Sequence, residues 1–157
     1  MPKTHLIPMT QAEFDRYIAE NVAGYAQEHT KTGKWTADEA YDKAQEQYKE
    51  LLPQGLQSPN NYLFTIIDQD EQPIGLLWYH INDTTHEKYA FIYDILIYEH
   101  ARRQGHAQRA FALLEDRLRQ ENVKSVRLHV FGHNHNAQKL YTKLGYHMTN
   151  IHMRKIL

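Results

Sequence analysis

Apolar positions fall into two periods along the chain, and the changes of period mark its elements. Thr4 to Pro8 reads as a short strand, and Thr10-Gln11-Ala12-Glu13 is a capping box that opens a helix whose apolar face is Phe14, Tyr17, Ile18, Val22 and Tyr25. Lys31-Thr32-Gly33-Lys34 breaks that helix. A second capping box, Thr36-Ala37-Asp38-Glu39, opens another helix, with Ala40, Tyr41, Ala44, Tyr48 and Leu51 as its stripe and Pro53 as its stop. Tyr62 to Asp68 and Ile74 to Ile81 then read as strands joined by the polar turn Gln69 to Gln72, short enough to demand an antiparallel pair. Phe91 to Tyr98 is a β-branched and aromatic run holding a single carboxylate, Asp94. Glu99 to Gly105 is a basic turn, and Ala110, Phe111, Leu114 and Leu118 follow at helical spacing. Ser125 to Phe131 reads as a strand after that helix, so strand, helix and strand form a parallel right-handed crossover. Beyond Gly145, Tyr146 to Ile156 is expected to supply one or two closing strands. The expected fold class is α/β: one domain over 1–157, with a mixed central sheet flanked by helices and parallel only where Ile92–Tyr98 meets Ser125–Phe131.

Composition narrows the chemistry. The chain has 157 residues, a formal net charge of −1 and no cysteine. It is long enough for a real core, and its near-neutral charge argues against nucleic acid or a membrane surface held by bulk electrostatics. The absence of cysteine removes disulfides, thiolate metal sites and a cysteine nucleophile, which suits a cytoplasmic location. Ser58 and Ser125 are the only serines, and neither lies in a Gly-x-Ser-x-Gly elbow. No long apolar run or signal-peptide pattern is seen, so a soluble, unexported chain is expected. His129, His133 and His135 cluster in sequence, but they lack helical i, i+4 spacing and a nearby Asp or Glu, so no metal site is expected. His129 remains an alternative base, with a packed core histidine as the plainer reading.

The turn from Arg102 to Ala107 carries the most specific signal. A helix start leaves its first N–H groups without intrahelical partners and carries about half a positive charge, so it suits a phosphate, and Gly105 permits close approach. Arg102-x-x-Gly105-x-Ala107 after a strand resembles the pyrophosphate loop of the GNAT N-acetyltransferase superfamily. Asn134-His135-Asn136-Ala137-Gln138-Lys139-Leu140-Tyr141-Thr142-Lys143-Leu144-Gly145-Tyr146 is similar to that family's Asn-x-x-Ala-x-x-Leu-Tyr-x-x-x-Gly-(Phe/Tyr) signature, in the right order.

The resemblance implies an acetyl-coenzyme A-dependent acyltransferase in which the two parallel strands splay and admit the pantetheine arm. It implies main-chain contacts from Ile97 and Tyr98, and a pyrophosphate held by the backbone of Arg102, Arg103, Gln104, Gly105, His106 and Ala107, with the Arg102 and Arg103 side chains adding charge. Asn134 reads as a helix cap that the family also places beside the pantetheine arm. Lys143 is either a reach to cofactor phosphate or a solvated lysine.

The acceptor implied is a primary amine of a small molecule or peptide, attacking directly in a ternary complex. A lysine-like amine with a pKa near 10.4 is neutral about once in 2,500 molecules at pH 7, a penalty of roughly 4.6 kcal/mol that a base or a desolvating site must offset. Asp94 is the candidate base, since a carboxylate inside an apolar run is costly unless used or paired, and Glu99 is the loop alternative. By resemblance Tyr141 protonates the leaving thiolate; the plainer reading is a core tyrosine. Tyr17, Tyr25, Trp35 and Tyr41, with Glu28, Asp38 and Glu39, form a candidate acceptor wall or simply a core stripe. A non-catalytic acyl-coenzyme A-binding module of the same fold is the competing class, and a homodimer is compatible with either.

Overall fold

The computed structural model describes residues 3–84 and 86–157. Its elements run β1 (Thr4–Pro8), α1 (Gln11–Lys31), α2 (Ala37–Leu51), β2 (Asn61–Asp68), β3 (Pro73–Asp83), β4 (Lys88–Ile97), α3 (His106–Gln120), β5 (Ser125–Leu128) and α4 (His135–Lys143). Single 3₁₀ turns at Gly55–Gln57 and Glu99–Ala101 link α2 to β2 and β4 to α3. The five strands lie in sequence order β1-β2-β3-β4-β5, and β1 through β4 pair antiparallel. Contacts divide the chain into two compact units, 1–127 and 128–157.

Within the first unit the helix starts follow the local sequence. Thr10 Oγ1 accepts the Glu13 N–H at 3.2 Å while Glu13 Oε1 accepts the Thr10 N–H at 2.9 Å, and Glu39 Oε1 likewise accepts the Thr36 N–H at 3.2 Å. One face of the sheet packs on α1 and α2 through Phe14, Tyr17, Leu63, Leu76 and Trp78. Ala40 and Ala44, both buried, let α1 and α2 pack closely around Val22 and Trp35. Helix α3 buries Ala110, Phe111, Leu114 and Leu118.

Two irregularities shape β4. Gly75 of β3 faces Ile97, and a Cβ there would overlap the Leu96 carbonyl oxygen, so only glycine lets the two backbones approach. Trp78 pairs with Asp94 and Tyr79 with Ile92, which leaves Tyr93 as the extra residue of a β-bulge. A bulge bends its strand and increases local twist. On the other edge the Lys124 N–H donates to the Lys88 carbonyl at 2.8 Å, and β5 lasts only from Ser125 to Leu128. The strand ends before the expected Phe131, because the Phe131 carbonyl is used in a turn by the Asn134 N–H and Gln138 Nε2. The last residues of β4 therefore extend past the β5 ladder.

The second unit holds α4, capped by Asn134 Oδ1 on the Ala137 N–H at 3.2 Å. The closing strands expected over Tyr146 to Ile156 are absent, and Met148, Ile151, Met153 and Ile156 are exposed. A strand needs an edge to pair with, and past Leu128 this unit supplies none among the described residues.

Candidate active site: an open amide loop and a half-buried carboxylate

The loop between β4 and α3 is built so that its amides stay open. The Ala101 N–H bonds the Tyr98 carbonyl and the Arg102 N–H bonds the Glu99 carbonyl, which closes the 3₁₀ turn. Intrahelical bonding resumes when the Arg109 N–H reaches the Gly105 carbonyl at 3.2 Å. Between them, the amides of Arg103, Gln104, Gly105, His106, Ala107 and Gln108 have no acceptor among the described residues. Arg103 (φ 61°) and Gly105 (φ 78°) both adopt left-handed backbone, which turns successive N–H groups toward one concavity of the kind that binds anions. For a non-glycine residue such as Arg103 that conformation costs on the order of 1 kcal/mol, so the surrounding structure must hold it.

The hold comes from behind the loop. The His106 side chain is only 4% exposed and its Nδ1 lies 2.9 Å from Thr4 Oγ1 on β1. Arg109 Nε donates to the same Thr4 oxygen at 2.9 Å, and Arg109 Nη2 donates to the Gln104 carbonyl at 2.7 Å. Arg109 Nη2 also lies 3.3 Å from His106 Nδ1 and can only donate, so Nδ1 is an acceptor, the Thr4 hydroxyl donates to it, and the ring hydrogen sits on Nε2. Burial and the Arg109 charge hold the His106 pKa below its ordinary value against an opposing effect of Asp68. The His106 side chain is thus an anchor, and what it offers outward is its amide.

Arg102 is placed differently from expectation. Its Nε donates to the Ile97 carbonyl at 2.8 Å, so the side chain braces the end of β4. The Tyr98 backbone is also committed, with its N–H on the Ile74 carbonyl at 2.8 Å and its carbonyl taken by Ala101. Antiparallel alternation turns the Ile97 N–H away from β3, and the Ile95 N–H bonds the Asp94 carboxylate. Arg103 is exposed and its side chain makes no hydrogen bond among the described residues.

Asp94 lies on the α1 side of the sheet. Its Oδ2 accepts the Tyr17 hydroxyl at 2.8 Å. Burial pushes the Asp94 pKa up, and hydrogen bonds from Tyr17, Asn21 and the Ile95 amide only partly offset it. Burial and the Asp94 charge raise Tyr17 well above the usual phenol range, and Tyr48 is pushed up to about 12 for the same two reasons. Asp94 is therefore a desolvated acceptor inside a tyrosine cage, and proton uptake there is easier than at a surface aspartate. A groove of about 340 Å³ between α1 and α2, lined by Phe14, Ile18, Tyr41 and Leu52, reaches this cage at Tyr48.

The aromatic wall expected on α1 and α2 is mostly core. Tyr17 and Trp35 are buried, and Tyr25 packs edge-on to His29, Trp35 and Tyr48. Tyr41 is exposed at the groove. In the second unit Tyr141 is half-buried and its ring centroid is 5.9 Å from that of Tyr146. Lys143 is exposed in the last turn of α4. His129 is exposed and edge-on to Phe131, so the core packing expected for it is not found. Among the described residues no group of His, Cys, Asp or Glu is arranged to hold a metal ion, and no helix is long and apolar enough to cross a membrane.

Comparison with known proteins bears on this geometry. The family model described as acetyltransferase (GNAT) family matches residues 20–146, from the middle of α1 to the residue after Gly145. The chain belongs to the GNAT acetyltransferase family. It is 38% identical over 149 residues to the uncharacterized N-acetyltransferase YdgE of Bacillus subtilis, covering 95% of each chain. It is 35% identical over 152 residues to YycN, an uncharacterized N-acetyltransferase of the same organism, covering 97% of each. The crystal structure of YycN superimposes with a TM-score of 0.88 at 34% identity over 99% of both chains. For this GNAT chain the loop and the order of its strands and helices were legible in advance. The Tyr17 partner of Asp94, the Thr4–His106–Arg109 anchor and the Tyr93 bulge were not, because each joins residues remote in sequence or depends on strand register.

Proposed function

We propose that the protein transfers an acetyl group from acetyl-coenzyme A to a primary amine by direct attack in a ternary complex. The observation that carries this reading is the open run of amides from Arg103 to Gln108 at the start of α3. Those donors, the helix dipole and the left-handed Gly105 fit a diphosphate, while the outward N–H group of Ile97 suits an amide-bearing arm laid along β4. When bound, acetyl-coenzyme A supplies an acyl thioester, whose carbon–sulfur bond is exchanged for a carbon–nitrogen bond as one proton passes overall from amine to thiol.

The chain's own residues manage the proton and the charge. Asp94 accepts the amine proton, directly or through a water, and its raised pKa brings it nearer the working pH. The Ile97 N–H donates to the oxygen on which negative charge builds. Tyr141 donates the proton that the departing sulfur takes up, and Asn134 and Lys143 support the cofactor arm and phosphate. The acceptor is a small molecule or peptide amine, and the reaction belongs in the cytoplasm.

Calorimetric titration with acetyl-coenzyme A, followed by thiol release across an amine panel, tests the reading. Micromolar binding with amine-dependent release is expected. Tyr141→Phe is expected to lower kcat at least tenfold with acetyl-coenzyme A affinity unchanged. Binding without release for any amine would favour the non-catalytic module, and no binding would remove the cofactor assignment.

A further inference from the structure

The bulge at Tyr93 has a chemical consequence. In a regular strand Tyr93 and Asp94 would face opposite sides of the sheet, but the extra residue puts them on the same side. The Tyr93 ring stacks on Trp78 at 4.6 Å with an interplanar angle of 25°, and Trp78 packs with Phe14 and Tyr17 on the α1 side, where Asp94 meets Tyr17. Phe91 lies edge-on to Tyr93 at 4.9 Å. The alternate residues Ala90 and Ile92 are buried on the opposite face. Phe91, Tyr93, Asp94 and Leu96 thus form one strip that the helices leave partly open, Tyr93 being 40% and Leu96 39% exposed.

Charge along the strip selects among amines. Asp94 is its half-buried acceptor. At one end the Arg127 guanidinium lies 3.6 Å over the Tyr89 ring and bonds Glu87, so a second ammonium extending that way would meet a cation. At the other end, beside Tyr98, Glu20 and Glu13 outweigh Arg16, although Glu13 already accepts from Thr10 and Thr65. A polycation laid toward Tyr89 would meet the Arg127 cation. A flat apolar body would find a ring already braced from behind by Trp78.

We infer that the acceptor is a primary monoamine carried on an aromatic body, with its ring on the Tyr93–Phe91 strip and its nitrogen at Asp94. The inference rests on the amine-acetylating reading and adds the substrate class. Its test compares 2-phenylethylamine, n-butylamine, spermidine and a lysine-containing peptide as acceptors. It also follows tryptophan fluorescence on titrating 2-phenylethylamine without cofactor, since Trp78 underlies Tyr93.

The expected result is a kcat/KM for 2-phenylethylamine at least tenfold above the other three. Tyr93→Ala should raise its KM at least tenfold, bring it level with n-butylamine and abolish the quench, with acetyl-coenzyme A affinity unchanged. Tyr93→Phe keeps the ring and should keep the preference, which separates recognition from folding. Preference for spermidine or the peptide, or an aryl preference that survives in Tyr93→Ala, overturns the substrate class and leaves acyl transfer standing. If no amine is acetylated, the transfer reading fails, and the quench then decides alone: present in the native protein and lost in Tyr93→Ala, it supports the amine strip; absent, it removes it.

Discussion

Tyr17→Phe isolates the hydrogen bond that holds Asp94. The hydroxyl lies 2.8 Å from Oδ2, and Tyr17 is buried, so water does not readily replace it. A hydrogen bond to a charged acceptor contributes about 1.5–3 kcal/mol, against about 0.5–1.5 kcal/mol to a neutral one. The variant therefore loses roughly 1–1.5 kcal/mol more with Asp94 ionised, which raises an already raised pKa by about one further unit. A carboxyl whose folded pKa lies above its unfolded value of about 3.9 stabilises the fold fully below that value and loses the contribution as pH rises through the folded pKa. The variant's deficit must then grow with pH. At roughly 2–4 °C per kcal/mol for a chain of this size, Tm should fall about 1–6 °C below the native protein near pH 3.5 and about 3–12 °C below it at pH 7, a gap wider by about 2–6 °C. If Asp94 is the base, the acid limb of kcat/KM moves up by about one unit as well. Thermal melts across that range read the first effect and a pH–rate profile the second. A Tm gap independent of pH would refute the account of Asp94 as a half-buried carboxylate sustained by Tyr17, and an unmoved acid limb would take the base role from it.

Two further variants probe the scaffold. Thr4→Val removes the hydroxyl that accepts from Arg109 Nε and donates to His106 Nδ1, leaving the buried imidazole and the half-buried guanidinium each short of a partner. A loss of about 1–3 kcal/mol, read as a Tm lower by roughly 2–12 °C, should accompany weaker acetyl-coenzyme A binding, because the same contacts brace the loop. Gly75→Ala forces a Cβ onto the Leu96 carbonyl oxygen and to 3.2 Å from the Ile97 Cα, so β3 and β4 must part at the end that leads into the loop. Melting well below the native protein, by more than about 5 °C, is expected, and a native-like Tm would show that the two strands do not need this approach.

Sequence alone determined what local rules govern. The capping boxes at Thr10 and Thr36 need only the next turn of chain, the apolar stripes of α1 and α3 are read from their period, and the start of α3 follows from Gly105 and the helical pattern behind it. Tertiary structure decided whatever depends on register or on a distant partner. Asp94 owes its raised pKa to burial and its hydrogen-bonded cage to Tyr17, 77 positions away. The motif gives a role only to the His106 backbone, and Thr4, 102 positions away, takes up its side chain. Arg102, though exposed, also braces the Ile97 carbonyl, a contact set by the 3₁₀ turn that precedes it. Tyr146 to Ile156 has the composition of strands but not their structure, because β propensity is realised only against a partner edge. Tyr93 shows the limit most plainly: one extra residue in register puts its ring on the same face as the carboxylate beside it, and no period in the sequence announces where a ladder slips.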